Sequence, residues 1–293
     1  MEFINSFYET EYLRWKNILS DITEPEGLII NIDDVLKAHF FICDYFFEVG
    51  DQVEISGPKD KNLLLSAIMR PLVGFDGFIK WKDMYEQVAT LFYGLVMNHP
   101  FHDGNKRTAI LITLFYLYKM KRWPTVSQKK IEEITISTAC NKLESKPEFQ
   151  KYQKRACNIH DRRVYFIADF LKCNTRKEDH RIYLITYRQL NTLLREHNIE
   201  LKHPEGNHIN VIKYEEKRKG FFGSKTILEK RIARIGFPGW TKEICNKDID
   251  IVREAANLTP EKGIDSQVFF KHSDPMPAII SHYHKLIYRL RDK

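Results

Sequence analysis

The 293-residue sequence has few cysteines, and the five present, Cys43, Cys140, Cys157, Cys173 and Cys245, form no CxxC pair. That excludes a dithiol redox motif and a zinc ribbon, and predicts free thiols in a reducing compartment. No run of about 18 uncharged apolar residues occurs, so neither a transmembrane helix nor a membrane partner is expected. The N-terminus carries Glu2, Glu9 and Glu11 where a secretory leader would be basic and then apolar, and a cytoplasmic address follows as the expectation. Repeats and low-complexity tracts are absent, which removes collagen-like and disordered readings.

What is present is ordinary globular composition, 43% hydrophobic and 29% charged, at a length that favours two domains. The net charge of +7 is unevenly placed. Residues 1–175 hold 23 basic against 23 acidic side chains, whereas residues 176–293 hold 23 against 16. The whole basic excess therefore lies in the C-terminal part, and a basic patch is the electrostatic footprint of nucleic-acid binding.

Up to residue 175 the pattern reads as helices. Asn31 begins one, with apolar residues at Val35, Leu36, Phe40 and Ile42. Further helices suit Lys61–Met69, Met84–Asn98, Asn105–Met120, Ser127–Ser137 and Arg163–Leu171. Between two of them, Pro71 to Trp81 has a proline, two glycines and alternating apolar residues, which predicts a β-hairpin flap. The polar stretch Cys173–Asp179 is the expected linker, which divides the chain into domains 1–175 and 176–293. Beyond it, a helix over Thr186–Glu196, a hairpin around Pro204 to Asn207, a third strand over Ile227–Ile235 and helices over Asp248–Ala256 and Ala278–Leu290 predict a small α+β domain.

One segment concentrates chemistry: His99, Pro100, Phe101, His102, Asp103, Gly104, Asn105, Lys106 and Arg107. It separates two apolar helices, so its polar residues form a loop at a helix N-terminus, where outward amides and the helix dipole attract an anion. Gly104 lets a phosphate approach the backbone. Lys106 and Arg107 add cations in the first turn, where they oppose the dipole unless an anion lies between them. Asp103 is a hard oxygen ligand suited to a phosphate-bound Mg²⁺. His99, at the end of the preceding helix, is the side-chain type that takes a proton from a hydroxyl near neutrality. Phe101 is assigned to the core.

The segment resembles the Fic/Doc (Fido) signature H-P-F-x-[D/E]-G-N-x-R. The likeness runs through Leu63–Pro71, the flap and Met84–Asn98 to about Thr138, and Asp33–Ala38 resembles the family's early helix. The resemblance implies a mainly α domain, the Fic/Doc helical fold with its hairpin flap. Its motif histidine, here His99, would deprotonate a Ser, Thr or Tyr hydroxyl of a target protein that then attacks a phosphate of ATP. Asp103 would hold Mg²⁺, Gly104 and Asn105 would line the anion hole, and Lys106 and Arg107 would bind phosphates. Gly74, Phe75, Asp76, Gly77 and Phe78 would pair with an extended target segment.

Position 106 is Lys where AMP-transferring members typically have Gly, and position 110 is Ile where they often have a second Arg. Both features resemble the Doc branch, whose type member transfers phosphate. Phosphoryl transfer is the expectation, AMP transfer the alternative, and a non-catalytic adaptor the contrasting class. Family members often have an antitoxin or an inhibitory (S/T)xxxE(G/N) helix. Ser20 to Glu24 and Thr192 to Glu196 approach that pattern without completing it.

The C-terminal order of elements, with Gly206, Asn207 and His208 at the hairpin, resembles the HicA-type fold related to double-stranded-RNA-binding domains. That likeness makes His208 a second candidate base, with Lys202 and Lys213 meeting RNA phosphates. The competing readings are a surface histidine beside a turn and a segment that recruits the target. His282 and His284 lack an evident third metal ligand and read as part of a surface helix.

Overall fold

The computed structural model describes residues 3–50, 55–177, 184–218, 225–262, 264, 266–270 and 273–291. The protein is mainly α with a small α+β region, and its internal contacts divide it into two units: Phe3–Arg181 with Tyr283–Lys293, and Ile182–His282. The division falls near residue 182, and the last stretch of chain rejoins the first unit.

The larger unit begins with α1 (Ser6–Ile18) and α2 (Ile32–Glu48). α1 was not evident from periodicity, because it buries only Tyr8 and Tyr12. α2 starts as the sequence predicts: Asn31 accepts from the Asp34 amide, and the Asp34 carboxylate accepts from the Asn31 amide in a capping box. α3 (Lys61–Met69) leads into the hairpin of β1 (Gly74–Phe75) and β2 (Phe78–Ile79). Asp76 and Gly77 both have positive φ, 50° and 77°, the requirement of the tight two-residue turn that matches strand twist.

α4 (Met84–Met97) and α5 (Asn105–Lys119) follow, with the polar loop between them. In α5 every residue from Arg107 to Leu117 is buried, as a helix that is apolar all round must be. Six of its side chains are Ile, Leu or Phe, each worth about 1.5–3 kcal/mol on full burial. α2, α4 and α6 (Gln128–Ala139) pack on it, so the start of α5 is fixed by the core itself.

The unit closes with β3 (Arg122–Pro124), α7 (Ile159–Cys173) and β4 (Thr175–Lys177). β4 pairs antiparallel with β3, Trp123 opposite Arg176. Residues 175–177 of the expected linker are thus a strand, because a ladder partner more than 50 residues earlier supplies hydrogen bonds that local composition does not reveal; residues 178 and 179 lie outside the described residues.

The smaller unit runs α8 (Tyr187–Arg195), β5 (Ile199–Glu205), β6 (His208–Arg218), β7 (Lys225–Gly236) and α9 (Asn246–Ala256), then the short α10 (Ser266–Phe269) and α11 (Met276–His282). Its sheet is an antiparallel meander in the order β5-β6-β7. Leu190 and Leu194 of α8, Ile249 and Val252 of α9, and the inward strand residues Ile199, Leu201, Ile209, Val211 and Ile235 form one core, so both helices cover the same sheet face. The final helix expected over Ala278–Leu290 is two: after α11 the chain turns at Tyr283, and α12 (His284–Arg289) packs on α5 and α6 of the larger unit.

Candidate active site

The loop from His99 to Gly104 is held by backbone bonds on both flanks. Lys59 N donates to Pro100 O at 2.7 Å and His102 N to Gly57 O at 3.4 Å, and Pro58 forms a β-bridge with Phe101. Asn105 closes the loop from inside: its Oδ1 accepts from Phe101 N and its Nδ2 donates to Phe101 O, each at 2.9 Å. The Asn105 side chain is thus engaged with the loop's own backbone. Phe101 is buried as expected.

His99 has a φ of +47°, a region that a non-glycine residue occupies at a cost of about 1–3 kcal/mol. The clamped Pro100 and Phe101 hold it there, and the side chain is exposed. Gly104, the N-cap of α5, has φ 75° and ψ 10°, where any residue with a Cβ is strained. The first helical bond is donated by Thr108 N to Gly104 O at 2.8 Å, so the amides of Asn105, Lys106 and Arg107 precede the intrahelical ladder.

Arg107 is only 1% exposed. Its Nη2 donates to Asp103 Oδ2 at 3.2 Å, and its guanidinium lies over the Phe46 ring of α2, 5.2 Å from the centroid. Asp103 also accepts from Gly104 N through Oδ1, while its side chain stays 40% exposed. Lys106 is partly exposed. Base, carboxylate, two cations and first-turn amides are therefore within one turn and one loop.

Sequence reasoning missed His39 of α2. It is fully buried and stacks on Phe101, centroids 4.0 Å apart and planes 9° apart. Its Nε2 accepts from Gly57 N at 2.8 Å, so the proton is on Nδ1, which donates to Thr108 Oγ1 at 3.2 Å. Burial first, then the charges of Arg107 and His102, push its pKa down to about 3. A neutral imidazole thus ties together the flanking segment, the loop and the start of α5. Its only sequence signal was a polar residue between Val35 and Cys43 on the buried face of a helix.

The candidate flap residues Gly74, Phe75, Asp76, Gly77 and Phe78 form a separate hairpin of the same unit, with Phe75 88% and Phe78 78% exposed. Glu24 accepts from Ile32 N at 2.6 Å and so serves the start of α2. There Asp34 pairs with Lys119 at 2.7 Å, at the opposite end of α5 from the loop, about 18 Å from Arg107 at 1.5 Å per residue. Glu24 is therefore a cap, remote from the motif arginine. Glu196 is the exposed C-cap of α8 in the smaller unit.

His208 is exposed at the first position of β6, opposite Glu205 and Gly236. Lys202, paired in register with Asn210, shares its sheet face. That lysine is ion-paired with Glu229 at 2.8 Å, and Arg234 with Glu205 at 3.6 Å, so these two cations are answered by acids. His282 is likewise paired, with Glu243 at 3.0 Å.

The donor set suits a phosphate-bound Mg²⁺, because such an ion needs one or two carboxylates beside the phosphate oxygens, and Asp103 offers one. No group of three or more His, Cys, Asp or Glu that could hold a metal exists among the described residues. No helix among them is long and apolar enough to cross a membrane.

No curated protein and no solved structure matches the chain. Residues 29–117, from just before α2 to the last turn of α5, match the family model described as Fic/DOC family. Members of that family are generally transferases that move a nucleotide-derived group onto a target, and over residues 29–117 the protein carries a region similar to the Fic/Doc domain.

Proposed function

We propose that the protein uses Mg²⁺ and ATP to phosphorylate a Ser, Thr or Tyr hydroxyl of a target protein, with His99 as general base. The observation that carries this reading is the pairing of an exposed histidine, held in a left-handed backbone conformation, with the amide-rich start of a helix buried from Arg107 to Leu117. Strain at an exposed titratable residue is a mark of function when the surroundings enforce it.

In this reading His99 takes the proton as the hydroxyl oxygen forms a bond to the γ-phosphorus, and the bond from that phosphorus to the β–γ bridging oxygen breaks, releasing ADP. The amides of Asn105, Lys106 and Arg107 meet developing negative charge on the phosphate. Arg107, buried and already aligned by Asp103 and Phe46, needs little reordering to bind an anion. Asp103 would hold Mg²⁺, which supplies neutralising charge between phosphate oxygens. The hairpin offers two exposed phenylalanines and a strand edge that pairs with no third strand among the described residues, open to an extended target segment.

Preference for phosphate over AMP rests on where cations stand. Lys106 adds one in the first turn, whereas Ile110 is 2% exposed within the core and supplies none one turn later. Phosphoryl transfer needs the γ-phosphate at the nucleophile and AMP transfer the α-phosphate. Incubation with a target-containing lysate and ATP labelled at either position decides: label from γ-labelled ATP alone is expected, and label from α-labelled ATP alone overturns the preference in favour of AMP transfer.

A further inference from the structure

Beside the hairpin is a cavity of about 250 Å³ that the transfer chemistry does not use. Val73 and Lys80 line it from the two feet of the hairpin, Trp81 forms part of its wall, Arg70 enters from the end of α3, and His160 and Asp161 enter from the first turn of α7. Asn158, whose Oδ1 accepts from His160 N, completes its lining, and the two cations Arg70 and Lys80 outnumber the one carboxylate, Asp161. Arg70 Nε is held by Thr90 O and Oγ1 of α4, both at 3.2 Å, and its guanidinium lies 5.5 Å from the Tyr93 ring centroid. No acceptor among the described residues is bonded to its Nη groups.

The Tyr93 hydroxyl accepts from Arg163 Nη1 at 3.2 Å, which leaves its own proton for His160 Nδ1 at 2.8 Å. The His160 Nε2 therefore carries the ring's hydrogen and is a further donor. Lys80 and Asp161 pair at 2.7 Å and cancel in charge. The Asp161 charge also reaches Arg70, yet Arg70, Lys80 and Asp161 together leave one net positive charge, and the Arg70 guanidinium and the His160 imidazole line the same small space.

We infer that this cavity takes the carboxylate of an Asp or Glu side chain belonging to the target segment that pairs with the hairpin. A carboxylate accepts two donors at once and matches the guanidinium in shape and sign. The location sets the spacing. Arg70 rests on Thr90, and from Thr90 to Asn98, the residue before His99, the helix advances about 12 Å at 1.5 Å per residue. An extended segment covers that distance in about four residues at 3.3 Å each. The acid stands about four residues from the modified hydroxyl, and the hairpin's backbone pairing, which is indifferent to sequence, gains a selective contact.

The inference rests on the transfer reading above, and its test separates the two. Peptides with one acceptor hydroxyl and one Glu, scanned through six positions on either side, are compared with Gln counterparts as substrates of the full chain with ATP. Glu about four residues away is expected to raise kcat/KM about tenfold over its Gln counterpart, Arg70→Gln to bring that ratio to one, and Arg70→Lys to restore part of it. No favoured position, or a preference that survives Arg70→Gln, overturns the inference. Binding is read independently by the NMR signal of the His160 ring, assigned through His160→Gln. A saturable shift with the Glu peptide and none with the Gln peptide is expected, even if no peptide is modified. In that event the transfer reading falls and the pocket stands; absence of a shift overturns the pocket.

Discussion

The loop that carries His99 and the hairpin that carries Phe75 and Phe78 follow each other closely in sequence and are built on opposite physical terms. The loop is clamped by Gly57 and Lys59 from one side and by Asn105 from within, and its arginine is 1% exposed. The hairpin has two short strands, and its aromatic side chains are among the most exposed apolar groups described. Chemistry at a phosphorus atom requires groups fixed to within fractions of an ångström, and a buried helix start supplies that. A docking edge gains from being uncommitted until a partner arrives.

The sharpest way to break this contrast is His99→Ala. Loss of a general base lowers turnover by about 10²–10⁴-fold, and an exposed side chain in a clamped loop leaves the melting temperature and ATP binding unchanged. Turnover at the wild-type rate, measured with a purified target, removes the proposed base.

Two glycines test whether the clamp or the backbone conformation matters more. Gly57 has φ +97°, and a Cβ there would be 2.7 Å from Trp15 Nε1; Gly77 has φ +77° with nothing within 4 Å. Gly57→Ala therefore meets both strain and overlap and is expected to cost about 2–4 kcal/mol, whereas Gly77→Ala meets strain alone, about 1 kcal/mol. Denaturant unfolding of both variants ranks them, and equal losses would show that the Trp15 contact yields without cost.

How much of this was legible in the sequence follows from the range of the interactions. The motif stood out because its polar residues interrupt two long apolar helices, and the Asn31 cap and Asp76–Gly77 turn are local devices readable within four residues. His39 was not legible as a linchpin, because its partners Gly57 and Thr108 are 18 and 69 residues away. β4 was hidden in a charged stretch for the same reason, and α1 because two buried tyrosines make a faint stripe. The carboxylates that answer Lys202 and Arg234 become visible only when strands pair, so these two cations look more available in the sequence than they are.

His39 also gives the clamp a pH signature that the hairpin lacks. Its folded pKa, about 3, is below the unfolded value of 6.5, so the unfolded chain binds more protons between those limits. Stability from this group is complete above pH 6.5 and is lost as pH falls toward 3, by about 1.4 kcal/mol per unit for one proton. His39→Gln should be less stable at pH 7.5 yet show a shallower decline to pH 5 in denaturant unfolding. An unchanged slope would mean the imidazole is not held neutral.

The hairpin should respond in the reverse manner. Phe75→Ala and Phe78→Ala remove side chains that bury almost nothing, so unfolding midpoints stay within about 0.5 kcal/mol of wild type. If the edge docks a target, KM for that target rises about tenfold with kcat little altered, because uniform binding is lost and the reacting groups are untouched. A fall in kcat at constant KM would place the phenylalanines among the groups that order the transition state, and the division between a rigid loop and an adaptable edge would then fail.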